Sequence, residues 1–596
     1  MASRCSLITV GWLLAAPMAA LVSPPVAALE QQQQQPTAIE RPLPEAMIDR
    51  ENRAIELYRR GDFQPALELM QQIVAWLTAN RPANDPYKAS SLIKIGILLS
   101  GMGRLQEAMA AEEQAVKIYR YLVTINPDYR AALADSLTNL SVSYNMLGRP
   151  RDTVAATEDA LTIYRSLARI DPAFEDELAR SLTNIGAVYS ALARYQDALA
   201  PTQESLLIFR RLAAINPDYR GELARSLNSL GAIYNDMGLP QQALAPTEEA
   251  LKIFRGMKDL TQIDRGFLAI TLHNLGREYS HLGRWQDALS ASQESLLIFR
   301  ELAEVEPSYR SDLAMSLANL SNRYRSLGRW QDALSPTLET VAIYRELARS
   351  NPAARGELAM ALTNLAPIYG DLGRMAEALT ASQEALTIQR QLPADALHYQ
   401  EDLARNLSNM GNILGGLKRY QEALAATKEA LSLYRDLAQV KPSYQSDVAY
   451  ALINLGARYG ETGLWLEVLA PSEEAIRIYR RMPATNPDIQ ANLAVALNNL
   501  GISLVFANRA EQARAAFEEA LRIIRPLAAA NPAYNTILNQ TLEHLQKLDR
   551  LNRSPSLTLS RESASIIPRL SIAVPARSFR CWPAIRRTTS GEAAIA

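Results

Sequence analysis

An asparagine recurs through this sequence at a spacing of 45 residues, and its side-chain amide can both donate and accept hydrogen bonds. Eight of the ten positions in this column hold asparagine: Asn139, Asn184, Asn274, Asn319, Asn364, Asn409, Asn454 and Asn499. Lys94 and Ser229 occupy the other two positions. Asparagine is a poor helix former, yet the residues around each position follow a helical pattern. Something other than helix formation must therefore explain the column.

The residue types of enzymes and metal sites occur without the context that their chemistry needs. Four histidines are scattered along the chain: His273, His281, His398 and His544. His273 and His281 are eight residues apart with no cysteine nearby, which is not the spacing of a zinc site. No glycine-rich phosphate loop follows a strand, and no serine, histidine and acid stand in a supporting context. The sequence therefore predicts no catalytic residue, no metal site, no cofactor and no enzymatic activity.

Each amide lies in a unit that reads as two helices. In the unit around Asn184, apolar residues follow helical spacing on both sides of position 193, and Pro217 ends the second helix. The column of position 193 is glycine in seven of ten units, which is typical of a helix that ends in a left-handed residue. We expect helices near 175–192 and 195–213 that repeat with the same period to about residue 548, without strands.

An arginine occupies one column of all ten units, near the end of the second helix: Arg120, Arg165, Arg210, Arg255, Arg300, Arg345, Arg390, Arg435, Arg480 and Arg525. A basic stripe is one interpretation. Ion pairing is the better one, because a cation suits the C-terminal end of a helix. Acids also recur where the next first helix starts: Glu177, Glu222, Asp312, Glu357, Asp402 and Asp447. We expect each arginine to bridge neighbouring helices through these acids.

The pattern Leu-Gly-x-x-Tyr, then Gly-x-[Trp/Tyr]-x-x-Ala-Leu, then Ala and Pro resembles the tetratricopeptide repeat over roughly residues 50–548. Trp285, Trp330 and Tyr195 stand where that family has its aromatic residue after the turn. The units are longer than the family's usual length of about 34 residues. They resemble the arrays of kinesin light chains and of large bacterial signalling proteins. The resemblance implies an all-α, right-handed superhelical solenoid of about eleven antiparallel helix pairs.

The same resemblance implies a role for the eight asparagines. They match the asparagine ladder on the inside of tetratricopeptide superhelices such as the O-linked N-acetylglucosamine transferase family, which implies binding of the main chain of a protein or extended peptide. The alternative is that the amides bond to adjacent repeats and stiffen the array, because a buried polar group needs a partner in either case. Both interpretations remain open at the sequence level.

The sequence divides into four segments: a secretory signal peptide over 1–28, a Gln-rich linker over 29–43, the helical array over 44–550 and a disordered basic tail over 551–596. Arg4 precedes a short apolar run, and Val26-Ala27-Ala28 offers small residues for cleavage. Export to the periplasm or the extracellular space is expected, with membrane anchoring by an uncleaved signal as the alternative. The formal net charge of −1 gives no field that would attract nucleic acid.

The predicted function is a non-enzymatic scaffold that binds a protein or peptide in the concave groove of the array. The tail without periodicity has two explanations, a flexible segment or the product of a frame change. Exported arrays of this kind resemble the front halves of proteins that end in a caspase-like CHAT domain. The alternatives are therefore the sensor half of a truncated caspase-like peptidase, or a purely architectural spacer.

Overall fold

The computed structural model describes residues 43–60, 62–192, 194–350, 354–392, 397–482, 486–530 and 534–553. The expected signal peptide, the expected linker up to residue 42 and the tail from residue 554 lie outside these ranges. In the described residues the elements are 23 α-helices with short 3-10 turns and no strand. The expected fold class, an all-α array of helix pairs, is therefore confirmed.

The chain divides into two compact units. Unit 1 holds the described residues up to Arg323, with residues 349–350, and unit 2 holds Tyr324–Ala348 and the described residues from Ala354 on. The helices that begin in unit 1 are α1 (Glu45–Arg59), α2 (Phe63–Asn80), α3 (Pro86–Gly101), α4 (Leu105–Ile125), α5 (Arg130–Met146), α6 (Pro150–Ile170), α7 (Glu175–Ala191), α8 (Tyr195–Ile215), α9 (Arg220–Asp236), α10 (Pro240–Gly256), α11 (Gln262–His281), α12 (Trp285–Val305) and α13 (Arg310–Ser326).

The helices of unit 2 are α14 (Trp330–Ser350), α15 (Arg355–Asp371), α16 (Met375–Gln389), α17 (Leu397–Gly416), α18 (Tyr420–Val440), α19 (Gln445–Glu461), α20 (Leu469–Arg480), α21 (Pro487–Phe506), α22 (Ala510–Ala530) and α23 (Asn535–Arg553). Odd-numbered helices are the first helices of their repeats, and even-numbered helices are the second. Within each unit a first helix packs on its own second helix and on the first helix of the adjoining repeat, and α23 covers the last pair.

The turn within a repeat needs a residue in the left-handed conformation. Seven glycines provide it, with φ between 67° and 76°: Gly103, Gly148, Gly238, Gly283, Gly328, Gly373 and Gly463. Lys418 (φ 60°) and Asn508 (φ 58°) adopt the same conformation where the sequence has no glycine. The backbone geometry is thus kept when the preferred residue is absent, which confirms the expected helix end.

The two helices of a pair approach closely because small residues stand at their crossing. A Cβ atom added at Gly186 of α7 would lie 2.2 Å from the Thr202 hydroxyl oxygen of α8. Ala198, on the facing helix, is fully buried. Large side chains fill the layers between these contacts, among them Phe209 and Phe254, which are at most 1% exposed. Burial of each such ring contributes about 1.5–3 kcal/mol.

In the described residues, five second helices are followed by a short 3-10 turn that starts with proline: α4, α6, α8, α12 and α18. At Pro127–Tyr129 the Asn126 side chain accepts a hydrogen bond from the Asp128 amide at 3.0 Å. The expected period is wrong at three second helices, which stop early: α10 at Gly256, α16 at Gln389 and α20 at Arg480. After α10, Thr261 caps the longer first helix α11 by accepting from the Asp264 amide at 3.1 Å. At this junction α10 ends at Gly256, a poor helix former, and the sequence has Thr261-Gln262 where other repeats have Asn-Pro.

The arginine column forms ion pairs, but with different acids from those expected. Each pair joins a second helix to the next second helix, 39 residues on, over 2.5–3.1 Å: Arg120–Asp159, Arg165–Glu204, Arg210–Glu249, Arg255–Glu294, Arg345–Glu384, Arg390–Glu429, Arg435–Glu474 and Arg480–Glu519. The expected acid Glu222 instead pairs with Arg180 and Arg225 of the first helices. The prediction failed because consecutive second helices lie side by side on the surface, away from the acids of the first helices.

Candidate functional site

All eight asparagines of the column lie on first helices, as the sequence predicts. Asn274, Asn454 and Asn499 are at most 2% exposed. The other five are half-buried: Asn139, Asn184, Asn319, Asn364 and Asn409. Their common register therefore gives each unit a row of amides, one per repeat, apart from Lys94 and Ser229.

Two of these amides bond to the first helix of the preceding repeat. The Asn274 Nδ2 donates to the Asn228 Oδ1 at 2.9 Å, within unit 1. The Asn409 Nδ2 lies 3.4 Å from the Thr363 carbonyl oxygen, within unit 2. The interpretation that the amides connect adjacent repeats therefore holds for these two residues.

Four members of the column have a buried amide atom without a hydrogen-bond partner among the described residues. The atoms are the Asn274 Oδ1 and the Nδ2 atoms of Asn319, Asn454 and Asn499. An unsatisfied buried group of this kind costs about 1–3 kcal/mol. One oxygen and three nitrogens of the row therefore have unused hydrogen-bonding capacity, although these atoms are shielded from solvent in this structure.

Charged and polar side chains converge on α9, α11 and α13 in unit 1. We call this set the Arg277 cluster: Asn235, Asp236, His273, Arg277, Ser280, His281 and Arg323. The Arg277 Nη1 donates to the Asp236 Oδ1 at 3.2 Å, and the Arg323 Nη1 donates to the Ser280 Oγ at 2.7 Å. The His281 Nδ1 lies 2.9 Å from the Asn235 Oδ1. The three first helices are therefore joined through side chains.

Burial and charge together set the protonation of the two histidines in the cluster. Burial, and after it the charges of Arg277 and Arg323, lower the pKa of His273 to about 3 and that of His281 to about 4. Both imidazoles are therefore neutral at pH 7. Glu278 on the same helix accepts from the Thr247 hydroxyl at 2.8 Å, and burial raises its pKa to about 8.

Sequence reasoning missed this cluster, although a signal was present. The column of Arg277 holds no other charged residue: Ile97, Val142, Ala187, Ala232, Asn322, Pro367, Asn412, Ala457 and Ile502. The column of Arg323 is aliphatic in five places: Leu98, Val188, Ile233, Ile368 and Ile413. A charge in a column of buried apolar residues is a departure from the repeat pattern, and such departures mark candidate sites.

The histidines do not form a metal site in the part of the chain that the structure describes. There, no three side chains of histidine, cysteine, aspartate or glutamate are grouped as metal ligands. His273 and His281 face arginines instead. His544 packs against the Phe517 ring, with 5.3 Å between ring centroids, and the side chain of His398 lies outside the described residues.

Unit 2 has one arginine in the same column as Arg323. The Arg458 Nη1 donates to the Gly411 carbonyl at 2.7 Å, and its Nη2 lies 2.9 Å from the Glu461 Oε1. A Cβ atom at Gly415 would collide with this guanidinium at 2.1 Å. Arg458 is therefore seated by a neighbouring carboxyl and by a glycine that leaves room for it.

One helix among the described residues, α21, has a segment long and apolar enough to cross a membrane. The segment is Ile489–Phe506, and 67% of it is buried inside the protein. Packing of α21 against α22 accounts for this apolar composition.

The tetratricopeptide repeat family matches residues 45–120, 177–256, 267–346 and 357–436, and a second description of that repeat matches 493–525. No curated protein matches the chain. Similar solved structures include BtubC from P. vanneervenii, with 20% identity, 41% of this chain and 92% of that chain covered, and a TM-score of 0.35. The apo form of RapI has 14% identity, 51% and 99% coverage, and a TM-score of 0.38. A STAND protein with a tetratricopeptide repeat sensor from Pyrococcus horikoshii has 13% identity, 65% and 55% coverage, and a TM-score of 0.41.

Proposed function

Because this chain belongs to the tetratricopeptide repeat family, whose members serve as protein-interaction scaffolds, we propose that its first helices bind the main chain of an extended peptide. The observation that carries the proposal is the set of unsatisfied amide atoms on Asn274, Asn319, Asn454 and Asn499. A peptide backbone offers a donor and an acceptor at every residue. Because these atoms are buried in the free protein, the side chains must turn outward to meet the peptide, and the bonds formed would then remove the cost that the free protein bears at each position.

Side-chain selection would come from the variable columns beside the row. The position seven residues after the asparagine column holds Met146, Ala191, Asp236, His281, Ser326, Asp371, Gly416, Glu461 and Phe506. A constant amide beside a changing side chain separates two tasks, because the amide binds any backbone and the neighbour selects a residue. This arrangement requires no catalytic group, and we propose a binding function without enzymatic activity.

A purely structural role of the column is the second candidate, and the bonds of Asn274 and Asn409 favour it. Under that role the amides stiffen the array and no ligand depends on them. The two roles can be compared within the column, because some of its amides are bonded to the preceding repeat and others have atoms without a hydrogen-bond partner.

The test uses the full chain and a peptide selected against it by display of random sequences. One variant replaces Asn319, Asn454 and Asn499 by alanine, and the matched control replaces Asn409 by alanine, because its amide contacts the preceding repeat. Each lost bond contributes about 0.5–1.5 kcal/mol, so the triple variant should bind the peptide about ten- to a thousandfold more weakly while its melting temperature stays close to that of the wild type. The control should mainly lose stability.

The proposal fails if the triple variant binds the selected peptide as tightly as the wild type does. A fall in melting temperature in both variants, with affinity unchanged in both, would establish the structural role. Circular dichroism melts and calorimetric titrations on the same preparations give both readings.

We also propose export, with the array in the periplasm or outside the cell. The sequence of residues 1–28 supports this proposal through Arg4, the apolar run and the small residues before position 29. N-terminal sequencing of protein recovered from a bacterial periplasm should begin near residue 29. Recovery of the intact N-terminus in the membrane fraction would favour the anchored alternative.

A further inference from the structure

The turn between α19 and α20 departs from the repeat pattern at two positions, Leu464 and Leu466. Arginine stands in the column of Leu464 in eight of ten units: Arg104, Arg149, Arg194, Arg284, Arg329, Arg374, Arg419 and Arg509. Glutamine stands in the column of Leu466 in six units: Gln106, Gln196, Gln241, Gln286, Gln331 and Gln421. Leu464 is 46% exposed and Leu466 is 60% exposed. Two leucines therefore face solvent where most other repeats carry polar side chains.

The two leucines extend an aromatic surface. Trp465 stacks on Phe506 at the end of α21, with 4.5 Å between the ring centroids and 6° between the ring planes. Both rings are half-buried. We call the four residues Leu464, Trp465, Leu466 and Phe506 the Leu464 patch. An exposed apolar cluster with polar surroundings is typical of an interaction surface.

The same turn has an acid without its usual partner. In seven other repeats the arginine of this column pairs with the acid three positions on, as in Arg104–Glu107 at 2.6 Å. Glu467 keeps the acid, but a leucine has replaced the arginine, and Glu467 forms no ion pair within the described residues. The exposed charges of the next turn, Arg509 and Glu511, offset each other. The patch therefore has an uncompensated carboxyl group at its edge.

The chain leaves α23 close to this surface. Leu545 and Leu548 of α23 belong to the same hydrophobic cluster as Trp465 and Phe506, and all four residues lie in unit 2. The helix ends at Arg553, five residues after Leu548. The segment that follows α23 therefore starts near the cluster to which the aromatic rings of the patch belong.

One stretch after α23 has a composition that complements the patch. Residues 566–574 read Ile-Ile-Pro-Arg-Leu-Ser-Ile-Ala-Val, in which five large aliphatic side chains surround one cation, Arg569. The stretch begins 13 positions after Arg553, and an extended chain of that length spans up to about 43 Å. Burial of the aliphatic side chains against leucines and aromatic rings is favourable. Arg569 carries the charge that Glu467 lacks beside it.

We propose that residues 566–574 pack on the Leu464 patch of the same chain and place Arg569 beside Glu467. The contact goes beyond the proposed function, because it involves neither the asparagine row nor a peptide ligand. Apolar burial supplies the affinity, and the ion pair selects the register, since exposed ion pairs contribute little to stability. The expected disorder of the tail then applies only to its other residues.

Hydrogen exchange of the full chain, read by mass spectrometry, tests the contact. In the wild type, the amides of residues 566–574 should exchange about tenfold or more slowly than those of an unstructured chain. The variant Leu464→Arg with Leu466→Gln carries the residues of other repeats, so its array should stay folded, and residues 566–574 should exchange at the unstructured rate. The matched control is Leu239→Arg, the same change in the same column of unit 1, and it should exchange like the wild type.

A second variant changes the segment and leaves the array as it is. Leu570→Ser with Ile572→Ser should also remove the protection of residues 566–574, and it serves if the patch variant does not fold. Leu557→Ser with Leu559→Ser is its matched control, because these two leucines belong to the tail but lie outside the proposed contact. This control should keep the slow exchange.

Exchange of residues 566–574 at the unstructured rate in the wild type would overturn the contact. Protection that persists in Leu464→Arg with Leu466→Gln would overturn it as well, because the segment would then pack elsewhere. Protection that increases with protein concentration would assign the segment to a second copy of the chain and reject the contact within one chain.

Discussion

Arg277 and Glu278 are adjacent in sequence and both are buried, but they contact different helices. Arg277 is paired with Asp236 on the preceding first helix. Glu278 faces Thr247 on the preceding second helix, and burial raises its pKa to about 8. Two neighbouring residues on one helix thus contact different layers of the array, and the Glu278 carboxyl group is protonated at neutral pH.

The stability of the array should fall as pH rises from about 6.5 to 8. In this window the folded state keeps a proton on Glu278, with its pKa near 8, whereas the unfolded chain has already lost it. The folded state therefore binds more protons, and the free energy of unfolding decreases with pH. His273 and His281 have the opposite effect on the pH dependence of stability, because burial and the two arginines lower their pKa values. This effect is confined to pH values below about 6.5.

Chemical unfolding of Glu278→Gln across this range checks the assignment. The variant should show a flatter pH dependence than the wild type. Asp312 and Glu177 also have pKa values raised to about 8 by burial, so some slope should remain. A slope identical to that of the wild type would contradict the assignment to Glu278.

At the scale of the helices, the repeat period indicates which residues share a face but not which neighbouring helix that face meets. Helix pairs, the glycine turns and most proline stops could be predicted because each has a local cause in the sequence. The acids that pair with the arginine column could not be predicted, because acids recur with the same period on both helices of each repeat. The early ends of α10, α16 and α20 depend on local departures from the period, which an averaged pattern hides.

A double-mutant cycle on Arg210 and Glu249 should give a coupling of about 0–1 kcal/mol, because both side chains are nearly half exposed. The cycle on Arg210 and Glu222 should give no coupling, since Glu222 is engaged with Arg180 and Arg225. Melts of the single and double alanine variants provide both values. Coupling to Glu222 that exceeds coupling to Glu249 would contradict the observed pairing.

At the scale of the whole molecule, each helix contacts only its own repeat and the adjoining ones in the described pairs. Stability is then a sum of local terms, and damage should stay local. Only part of the candidate site could be predicted from the sequence. The asparagine row follows from periodicity, whereas the Arg277 cluster required the three-dimensional placement of three successive first helices, in which His273 and His281 meet Arg323 from the next repeat.

Replacement of Phe209 by alanine should unfold part of unit 1 without weakening the last repeats. The ring is 1% exposed, and loss of such a side chain costs about 3–5 kcal/mol. Hydrogen exchange of the full chain should show faster exchange in α7, α8 and α9 and unchanged protection in α19 and α21. Phe517→Ala, also at a 1% exposed position, is the matched variant in unit 2 and should give the reverse pattern. Uniform loss of protection in both variants would show that the array unfolds as one cooperative body.

The surface ion pairs have a consequence for how such a gene can change length. In each of these pairs, the arginine of one second helix contacts an acid on the next second helix along the chain. The two residues of every pair are 39 positions apart in the sequence. A duplication or deletion of one whole repeat by unequal recombination would place a new arginine beside a new acid, with the 39-residue offset unchanged. These ion pairs are therefore the same between successive repeats. The array can gain or lose whole repeats without a compensating substitution at these positions.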